Sequence, residues 1–241
     1  MSEPLSIGVI GGMGPAATAD YFSKLIAATG AKRDQDHLCI LIDNNPRVPD
    51  RNAAISGRGP SPGPALAASA AGLERMGAGV ITIACNTAHA FEDEIKAAIG
   101  VPFLSMIEAT VDASLASGAE RVGVLAADGC RRAQLYQRAY AARGVEALML
   151  SDEAQGAFMQ LIYRIKAGDI GMETRNAMKA HAIHLNARGA QAIVAACTEV
   201  PLALDADELA VPLINSTDAL VARAVAFALR GGASGGTHGR I

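Results

Sequence analysis

Two stretches of this sequence decide how its fold is interpreted: residues 81–89, I-T-I-A-C-N-T-A-H, and residues 193–199, I-V-A-A-C-T-E. Each is an apolar run typical of a buried strand, and each ends in a cysteine followed directly by small polar residues. In open parallel sheets, ligands bind at the carboxyl ends of the strands. The pattern therefore predicts that Cys85 and Cys197 lie at the ligand-binding ends of two strands.

The surroundings of the two cysteines also resemble each other. The pentapeptide G-A-G-V-I (77–81) precedes the first cysteine, and G-A-Q-A-I (189–193) precedes the second. Downstream, V-P-F-L-S (101–105) follows the first and V-P-L-I-N (211–215) follows the second. One copy in each half of the chain indicates two similar units related by pseudo-symmetry. Coincidence between two alanine-rich strand–helix units is the alternative.

Along the chain, apolar runs alternate with helical patterns, which is typical of parallel sheets covered by helices. We therefore predict an α/β fold with two pseudo-symmetric lobes, each a mostly parallel sheet flanked by helices, with the active site in the cleft between them. The predicted organisation is a first lobe of residues 1–105 plus 216–230, a second lobe of residues 106–215, and a flexible tail of residues 231–241.

Several local predictions bear on the site. Residues 44–64 are rich in proline and glycine and are predicted to form a long loop that can act as a lid. Helices are predicted over residues 88–99 and 131–143, and a short strand over residues 102–104.

Composition excludes several classes of function. The chain has 241 residues, is 51% hydrophobic, and carries a net charge of −3. It has only 4% aromatic residues and no Trp. This balance argues against nucleic-acid binding, which needs basic clusters or aromatic stacking platforms. No apolar run approaches the roughly 20 residues of a membrane span, and no secretory signal is evident at the start, so we expect a cytoplasmic protein that does not bind membranes.

The four cysteines are Cys39, Cys85, Cys130 and Cys197. They lack the paired short spacings of a zinc site or a disulfide framework, so we expect free thiols and no metal. For Cys39, which lies within an apolar run, we expect a simple packing role.

A glycine-rich segment follows the first predicted strand. Residues 12–17, G-M-G-P-A-A, fit the dinucleotide fingerprint G-x-G-x-x-[G/A]. The acidic residue expected at the end of the second strand, about 20 residues further on, is missing. The simpler interpretation is a tight strand-to-helix turn whose backbone N–H groups suit a small anion such as a carboxylate.

A thiol at a strand end, with a helix starting just after it, is expected to lie in positive potential. Such a position lowers the pKa of a cysteine from about 8.5 toward neutrality. If the two lobes face each other, Cys85 and Cys197 line one cleft from opposite sides. Two acid/base groups that flank one carbon are what inversion of a stereocentre requires. The alternative for each cysteine is a small buried hydrophobic residue.

The motifs resemble those of the aspartate/glutamate racemase family, especially its aspartate racemase branch, which works without pyridoxal phosphate. They span nearly the whole chain in order: G-G-M-G-P (11–15), A-K-R-D-Q-D-H (31–37), N-N-P-R-V-P-D-R (44–51), A-C-N-T-A-H-A-F (84–91), S-M-I-E (105–108), K-A-G (166–168) and A-C-T-E-V (196–200). The resemblance implies two α/β lobes with the site between them, a homodimer, no cofactor, and Cys85 and Cys197 as the acid/base pair.

The resemblance also implies which residues bind the substrate. Arg51 and Lys166 match family positions that hold the side-chain carboxylate, and an arginine can bind a carboxylate with two hydrogen bonds. The implied substrate-binding set is Met13, Arg51, Asn86, Thr87, Cys130, Lys166, Thr198 and Glu199.

One departure from the family concerns the start of the second lobe. The family usually has A-T-x-G-T there, whereas residues 126–130 read A-A-D-G-C. Cys130, a weaker hydrogen-bond donor, thus replaces a threonine expected at the carboxylate, and Ala127 replaces its neighbour. This leaves open whether the substrate is aspartate or another amino acid.

The sequence therefore predicts a cofactor-independent amino-acid racemase that acts on aspartate or a related acidic amino acid by removing and returning the Cα proton with two thiols. Two alternatives stay open. One is an isomerase or decarboxylase of small dicarboxylates such as maleate, and the other is a non-catalytic protein that binds small acids.

Overall fold

The computed structural model describes residues 3–231. It contains two sheets in which every strand pairing is parallel. The first sheet has the order β2-β1-β3 and the second has the order β5-β4-β6-β7. The strands are β1 (Ile7–Gly11), β2 (Ile40–Asn44), β3 (Val80–Ile83), β4 (Arg121–Ala126), β5 (Glu146–Leu148), β6 (Ala192–Ala196) and β7 (Leu213–Asn215).

Helices connect these strands and cover the sheets. The α-helices are α1 (Pro15–Thr29), α2 (Arg51–Ile55), α3 (Gly63–Arg75), α4 (Glu92–Ala97), α5 (Met106–Leu115), α6 (Asp128–Arg132), α7 (Leu135–Ala141), α8 (Asp152–Lys166), α9 (Met172–Ala187) and α10 (Ser216–Leu229). Short 3₁₀ helices lie at Asp34–Asp36, Thr87–Phe91, Val200–Leu202 and Ala206–Glu208. The predicted fold class, with parallel sheets flanked by helices, is confirmed.

Each sheet is covered on both faces, which explains why its central strands are continuously apolar. All five residues of β1 and all five of β6 are buried. In β1, Ile7 and Val9 pack with α1 and α10, whereas Ile10 packs on the opposite face with α3. In the second sheet, one apolar cluster includes residues of α8 and α9 and the other includes residues of α5 and α7.

The C-terminal helix α10 packs in the cluster of the first sheet, beside α1. This packing suits the predicted return of residues 216–230 to the first lobe. The lobe boundaries at residues 105 and 215, like the homodimer, stay predictions. Apart from Gly231, the predicted tail lies outside the described residues.

Three local predictions were wrong in detail. The predicted helix over residues 88–99 begins as the 3₁₀ helix Thr87–Phe91 and continues as α4. The predicted helix over residues 131–143 is split into α6 and α7 at Gln134, which has a φ of 56°. The predicted strand 102–104 is reduced to a single bridge between Ile81 and Phe103.

The predicted long loop over residues 44–64 also contains more structure than expected. It carries α2, whose first turn is capped by Asp50: the Asp50 side chain accepts a hydrogen bond of 2.6 Å from the N–H of Ala53. Such a cap satisfies a backbone donor that would otherwise have no partner. The segment therefore presents its side chains from a short helix rather than from an irregular loop.

The first strand-to-helix turn needs glycine at one position. Gly12 has a φ of 90°, and a Cβ there would lie 2.4 Å from the backbone carbon of Asn45. Its N–H donates to Thr18 Oγ1 at 2.9 Å. This N–H is therefore used within the turn, and the close approach of two backbones accounts for the glycine.

None of the helices described between residues 3 and 231 is both long and apolar enough to cross a membrane.

Candidate active site

A cavity of about 230 Å³ lies where the carboxyl ends of the two sheets meet. Its wall is formed by segments that follow β1, β3, β4 and β6, together with the α2 region and the end of α8. The lining residues are Gly12, Met13, Gly14, Pro15, Pro46, Asp50, Arg51, Asn52, Cys85, Asn86, Thr87, Ala127, Ile162, Tyr163, Lys166, Cys197, Thr198 and Glu199.

Both strand-end cysteines line this cavity. Cys85 follows β3 and is 6% exposed, and Cys197 follows β6 and is 7% exposed. Each also packs in the apolar cluster of its own sheet. The two thiols therefore have an apolar side within the core and a side open to the same small cavity.

The loop that carries Cys85 is held by a buried histidine. His89 Nε2 accepts the backbone N–H of Met106 at 2.9 Å, so the ring proton is on Nδ1, which donates to the carbonyl of Cys85 at 3.0 Å. Burial lowers the pKa of His89, which keeps the ring neutral. His89 therefore joins the Cys85 loop to the start of α5.

A buried carboxylate stands beside Cys197. Glu199 is 3% exposed, and its Oε2 accepts hydrogen bonds from Cys197 Sγ at 3.0 Å and from Thr198 Oγ1 at 3.2 Å. Its Oε1 pairs with Lys166 Nζ. The carboxylate is thus surrounded by donors, as a buried charge must be.

The predicted fall in the pKa of the strand-end thiol is wrong for Cys197. Burial raises the pKa of Cys197 well above its ordinary value, and the neighbouring Glu199 raises it further. Lys166 opposes this rise only in part. The helix after Cys197 is a 3₁₀ turn of three residues, Val200–Leu202, too short to supply the positive potential that the prediction assumed.

Two cations reach the cavity from two helices that are far apart in the sequence. Arg51 begins α2, and Lys166 ends α8. Both donate to the carbonyl of Met13, Arg51 Nη2 at 3.3 Å and Lys166 Nζ at 3.4 Å. Burial opposes the charge of Lys166. The negative charge of Glu199, and of either cysteine when it is a thiolate, outweighs that effect and raises the pKa of Lys166, so it stays a cation.

Arg51 differs from Lys166 in its partners. Its guanidinium donates to carbonyl groups, including that of Pro49 at 3.1 Å, and its buried Nε has no hydrogen-bond partner. Within residues 3–231, no carboxylate lies close enough to form a salt bridge with it. A positively charged fork without an acidic partner, at the wall of a small cavity, is suited to bind a carboxylate.

The side chain of Asn86 is occupied by other protein groups. Its Nδ2 donates to Ser216 Oγ at 3.0 Å, and its Oδ1 accepts from Tyr136 OH at 2.6 Å. All three residues are buried. Asn86 therefore lines the cavity, but its side chain is hydrogen-bonded to other protein groups and fixes the loop after Cys85.

Tyr136 was missed by the sequence analysis, because nothing local connects a residue of α7 to the Cys85 loop. Tyr136→Phe is expected to cost about 1–3 kcal/mol of stability, since Asn86 Oδ1 loses a buried donor. Urea unfolding measures this loss. Tyr140→Phe is the matched control, because its hydroxyl forms a buried hydrogen bond of 2.8 Å with Ser114. A similar loss is expected in both, but only Tyr136→Phe should lower the predicted racemase activity, and equal activities would contradict this role.

Of the predicted set, Cys130 is not placed at the cavity. It is 1% exposed and packs in the cluster formed with α5 and α7. Burial, and then the nearby Cys85, raises its pKa. Ala127, rather than Cys130, contributes the wall at this point. The other nine predicted residues, Met13, Arg51, Cys85, Asn86, Thr87, Lys166, Cys197, Thr198 and Glu199, all line the cavity.

The structure adds wall residues that the sequence analysis did not name. Asn52 lines the cavity, and its Oδ1 accepts the N–H of Gly129 at 2.7 Å, which ties α2 to α6 in the other half of the chain. Ile162 and Tyr163 of α8 contribute an apolar wall beside Lys166. These contacts join residues far apart in sequence, so no local pattern could have indicated them.

Comparisons with known proteins give matches that cover most of the chain. A family model described as Asp/Glu/Hydantoin racemase matches residues 10–224. The protein named broad specificity amino-acid racemase RacX of Bacillus subtilis (strain 168) is 29% identical over 228 residues, which cover 89% of this chain and 94% of the relative.

Two solved structures show the same fold. Picrophilus torridus aspartate racemase superposes with a TM-score of 0.84 at 29% identity, covering 93% of this chain and 94% of that one. Glutamate racemase from Francisella tularensis gives a TM-score of 0.69 at 20% identity, covering 95% and 82% of the two chains, and supports the fold alone.

Proposed function

We propose, because the chain belongs to the Asp/Glu/hydantoin racemase family, that it inverts the α-carbon of aspartate or a closely related acidic amino acid with Cys85 and Cys197 and without a cofactor. Its class, an isomerase of the amino-acid racemase type, follows from the family. The substrate and the roles of individual residues are our proposal.

The observation that carries the proposal is the presence of two strand-end thiols, from different sheets, in one cavity of about 230 Å³. In each direction one sulfur is a thiolate and the other a thiol. The thiolate takes the Cα proton, so that an S–H bond forms and the C–H electron pair stays on the substrate. The opposite thiol then gives its proton to the other face of the carbon. No atom is gained or lost, and the two sulfurs exchange protonation states.

The charges of the cavity favour an acidic substrate. Arg51 lacks a carboxylate partner within residues 3–231, so an incoming carboxylate can bind its guanidinium. The Lys166–Glu199 ion pair lines the same cavity. The negative charge of Glu199 favours the ammonium group of an amino-acid substrate. The relative named aspartate racemase supports this substrate class.

A broader substrate range is the second candidate. The relative RacX is named for broad specificity, and Ala127, Ile162 and Tyr163 form an apolar part of the wall. A wall of this kind can accept an uncharged side chain, at the cost of weaker discrimination.

The test is incubation of the pure protein with single L-amino acids in D₂O, followed by chiral chromatography and mass spectrometry. We expect D-aspartate that carries one deuterium at Cα. The panel includes glutamate, asparagine, alanine and maleate. Deuterated D-alanine formed faster than D-aspartate would favour the broad-specificity candidate. Conversion of maleate without any racemisation would contradict the proposal, as would aspartate binding by calorimetry with no change of enantiomer.

A further inference from the structure

We propose that Glu199 is a positioning residue that holds Cys197 as a protonated thiol in the resting enzyme, so that Cys197 is poised to donate a proton while Cys85 accepts one. This inference rests on the proposed two-thiol racemisation. It goes beyond that proposal, because it distinguishes the two cysteines. In the resting enzyme it assigns Cys197 as the proton donor and Cys85 as the proton acceptor.

The sequence around the two cysteines already contains the asymmetry. The residue two positions after Cys85 is Thr87, whereas the residue two positions after Cys197 is Glu199. A neutral hydroxyl thus stands in one lobe where a carboxylate stands in the other. The pseudo-symmetric repeat therefore provides equivalent positions for the sulfurs but different electrostatic surroundings.

The hydrogen bonds of Glu199 place the proton on sulfur. Oε1 is paired with the Lys166 ammonium, which can only donate. Oε2 accepts from Thr198 Oγ1 at 3.2 Å and lies 3.0 Å from Cys197 Sγ. A carboxylate paired with an ammonium is ionised and accepts only, so the proton of the sulfur–oxygen contact belongs to Cys197.

The charges that face Cys197 act in the same direction. The ionised Glu199 disfavours a second negative charge on the adjacent sulfur, and burial disfavours it as well, so the pKa of Cys197 is raised. Lys166 from α8 offsets part of this effect. The other titratable or charged groups at the cavity wall are Asp50, Arg51, Cys85 and Tyr163.

This arrangement predicts the protonation states of the two sulfurs during turnover. After Cys85 has taken the Cα proton and Cys197 has given its own, Cys197 is left as a thiolate beside Glu199. That state is unfavourable, and it is relieved in one of two ways. Either Cys197 takes the Cα proton of the opposite enantiomer while Cys85 gives its proton to the other face, or Cys197 takes a proton from solvent and Cys85 releases one to solvent. Because the two enantiomers are equally stable, any loss of kcat/KM must be the same in both directions.

The direct test needs no turnover. The pH dependence of Cys197 alkylation by iodoacetamide is measured by peptide mass spectrometry in the wild-type protein and in Glu199→Gln. Removal of the negative charge should lower the midpoint of alkylation by about one pH unit or more. Glu173→Gln, the same chemical change at an exposed residue of α9, should leave the midpoint unchanged. A midpoint that stays or rises in Glu199→Gln would overturn the assignment.

Two further measurements complete the test. Glu199→Asp keeps the charge and should retain a midpoint close to that of the wild type. In kcat/KM profiles, the alkaline limb of Glu199→Gln should move to lower pH, a shift that a merely structural role would not cause. If Glu199→Gln does not fold, the wild-type protein tests the protonation state of Cys197: a midpoint above the ordinary value of about 8.5 supports a thiol that is held protonated, and one at or below it refutes the inference. Racemisation without the midpoint shift would refute this inference alone, whereas a shift without racemisation would refute the proposed function.

Discussion

Replacement of either Cys85 or Cys197 by alanine is expected to lower kcat/KM for racemisation by about 10²- to 10⁴-fold, the usual contribution of one acid/base group. Each variant retains one of the two cavity thiols, which can act on only one face of the substrate carbon. Inversion requires both faces, so neither remaining sulfur can complete the reaction. Initial rates of D-aspartate formation, followed by chiral chromatography, measure the loss.

Cys39 provides the matched control for this prediction. Its side chain is exposed, so the expected packing role is wrong, and it lies outside the cavity wall. Cys39→Ala should therefore keep the wild-type rate. Wild-type racemisation in Cys85→Ala or in Cys197→Ala would end the two-thiol mechanism, because at least one face of the carbon would then be served by another group.

Arg51→Gln should produce the second large effect, a fall of about 10- to 100-fold in kcat/KM for aspartate, as expected for the loss of hydrogen bonds to a charged group. The guanidinium has no acidic protein partner in the described structure, so its charge is available to the substrate. The loss should be smaller for alanine, which lacks a side-chain carboxylate. Parallel steady-state kinetics on the two amino acids give this comparison.

The exposed Arg47 tests whether the effect is specific to position 51. Arg47 precedes α2 and does not line the cavity. Arg47→Gln removes the same charge from the same segment and should leave both substrates unaffected. An equal loss for aspartate and alanine in Arg51→Gln would show that Arg51 supports the structure of α2 rather than recognition of the side chain.

Much of the fold could be predicted because the apolar pattern is local. Strands buried on both faces, such as β1 and β6, read as continuous apolar runs, and the alternation with helices predicted parallel sheets. The residues at which helices begin or break were harder to predict. The Asp50 cap that starts α2 lies within a segment rich in proline and glycine, whose composition favoured a loop. The break at Gln134 involves a positive φ in a residue that rarely adopts one.

The acid/base chemistry shows where sequence reasoning failed. A helix after Cys197 was expected to lower the pKa of the thiol, but that helix has only three residues. Burial and the ionised Glu199 outweigh it and raise the pKa. The failure has a plain physical cause, since the pKa of a buried group depends on charges and solvent exclusion in three dimensions.

The sequence by itself determined the two-sheet α/β architecture and the position of a cysteine at the end of a strand in each half, because periodicity and strand ends are properties of neighbouring residues. Only the tertiary structure decided that Lys166 of α8 pairs with Glu199 after β6, that Tyr136 holds Asn86, and that Cys130 packs away from the cavity. Each of these outcomes depends on contacts between distant segments, and packing of the helices on the sheets fixes those contacts.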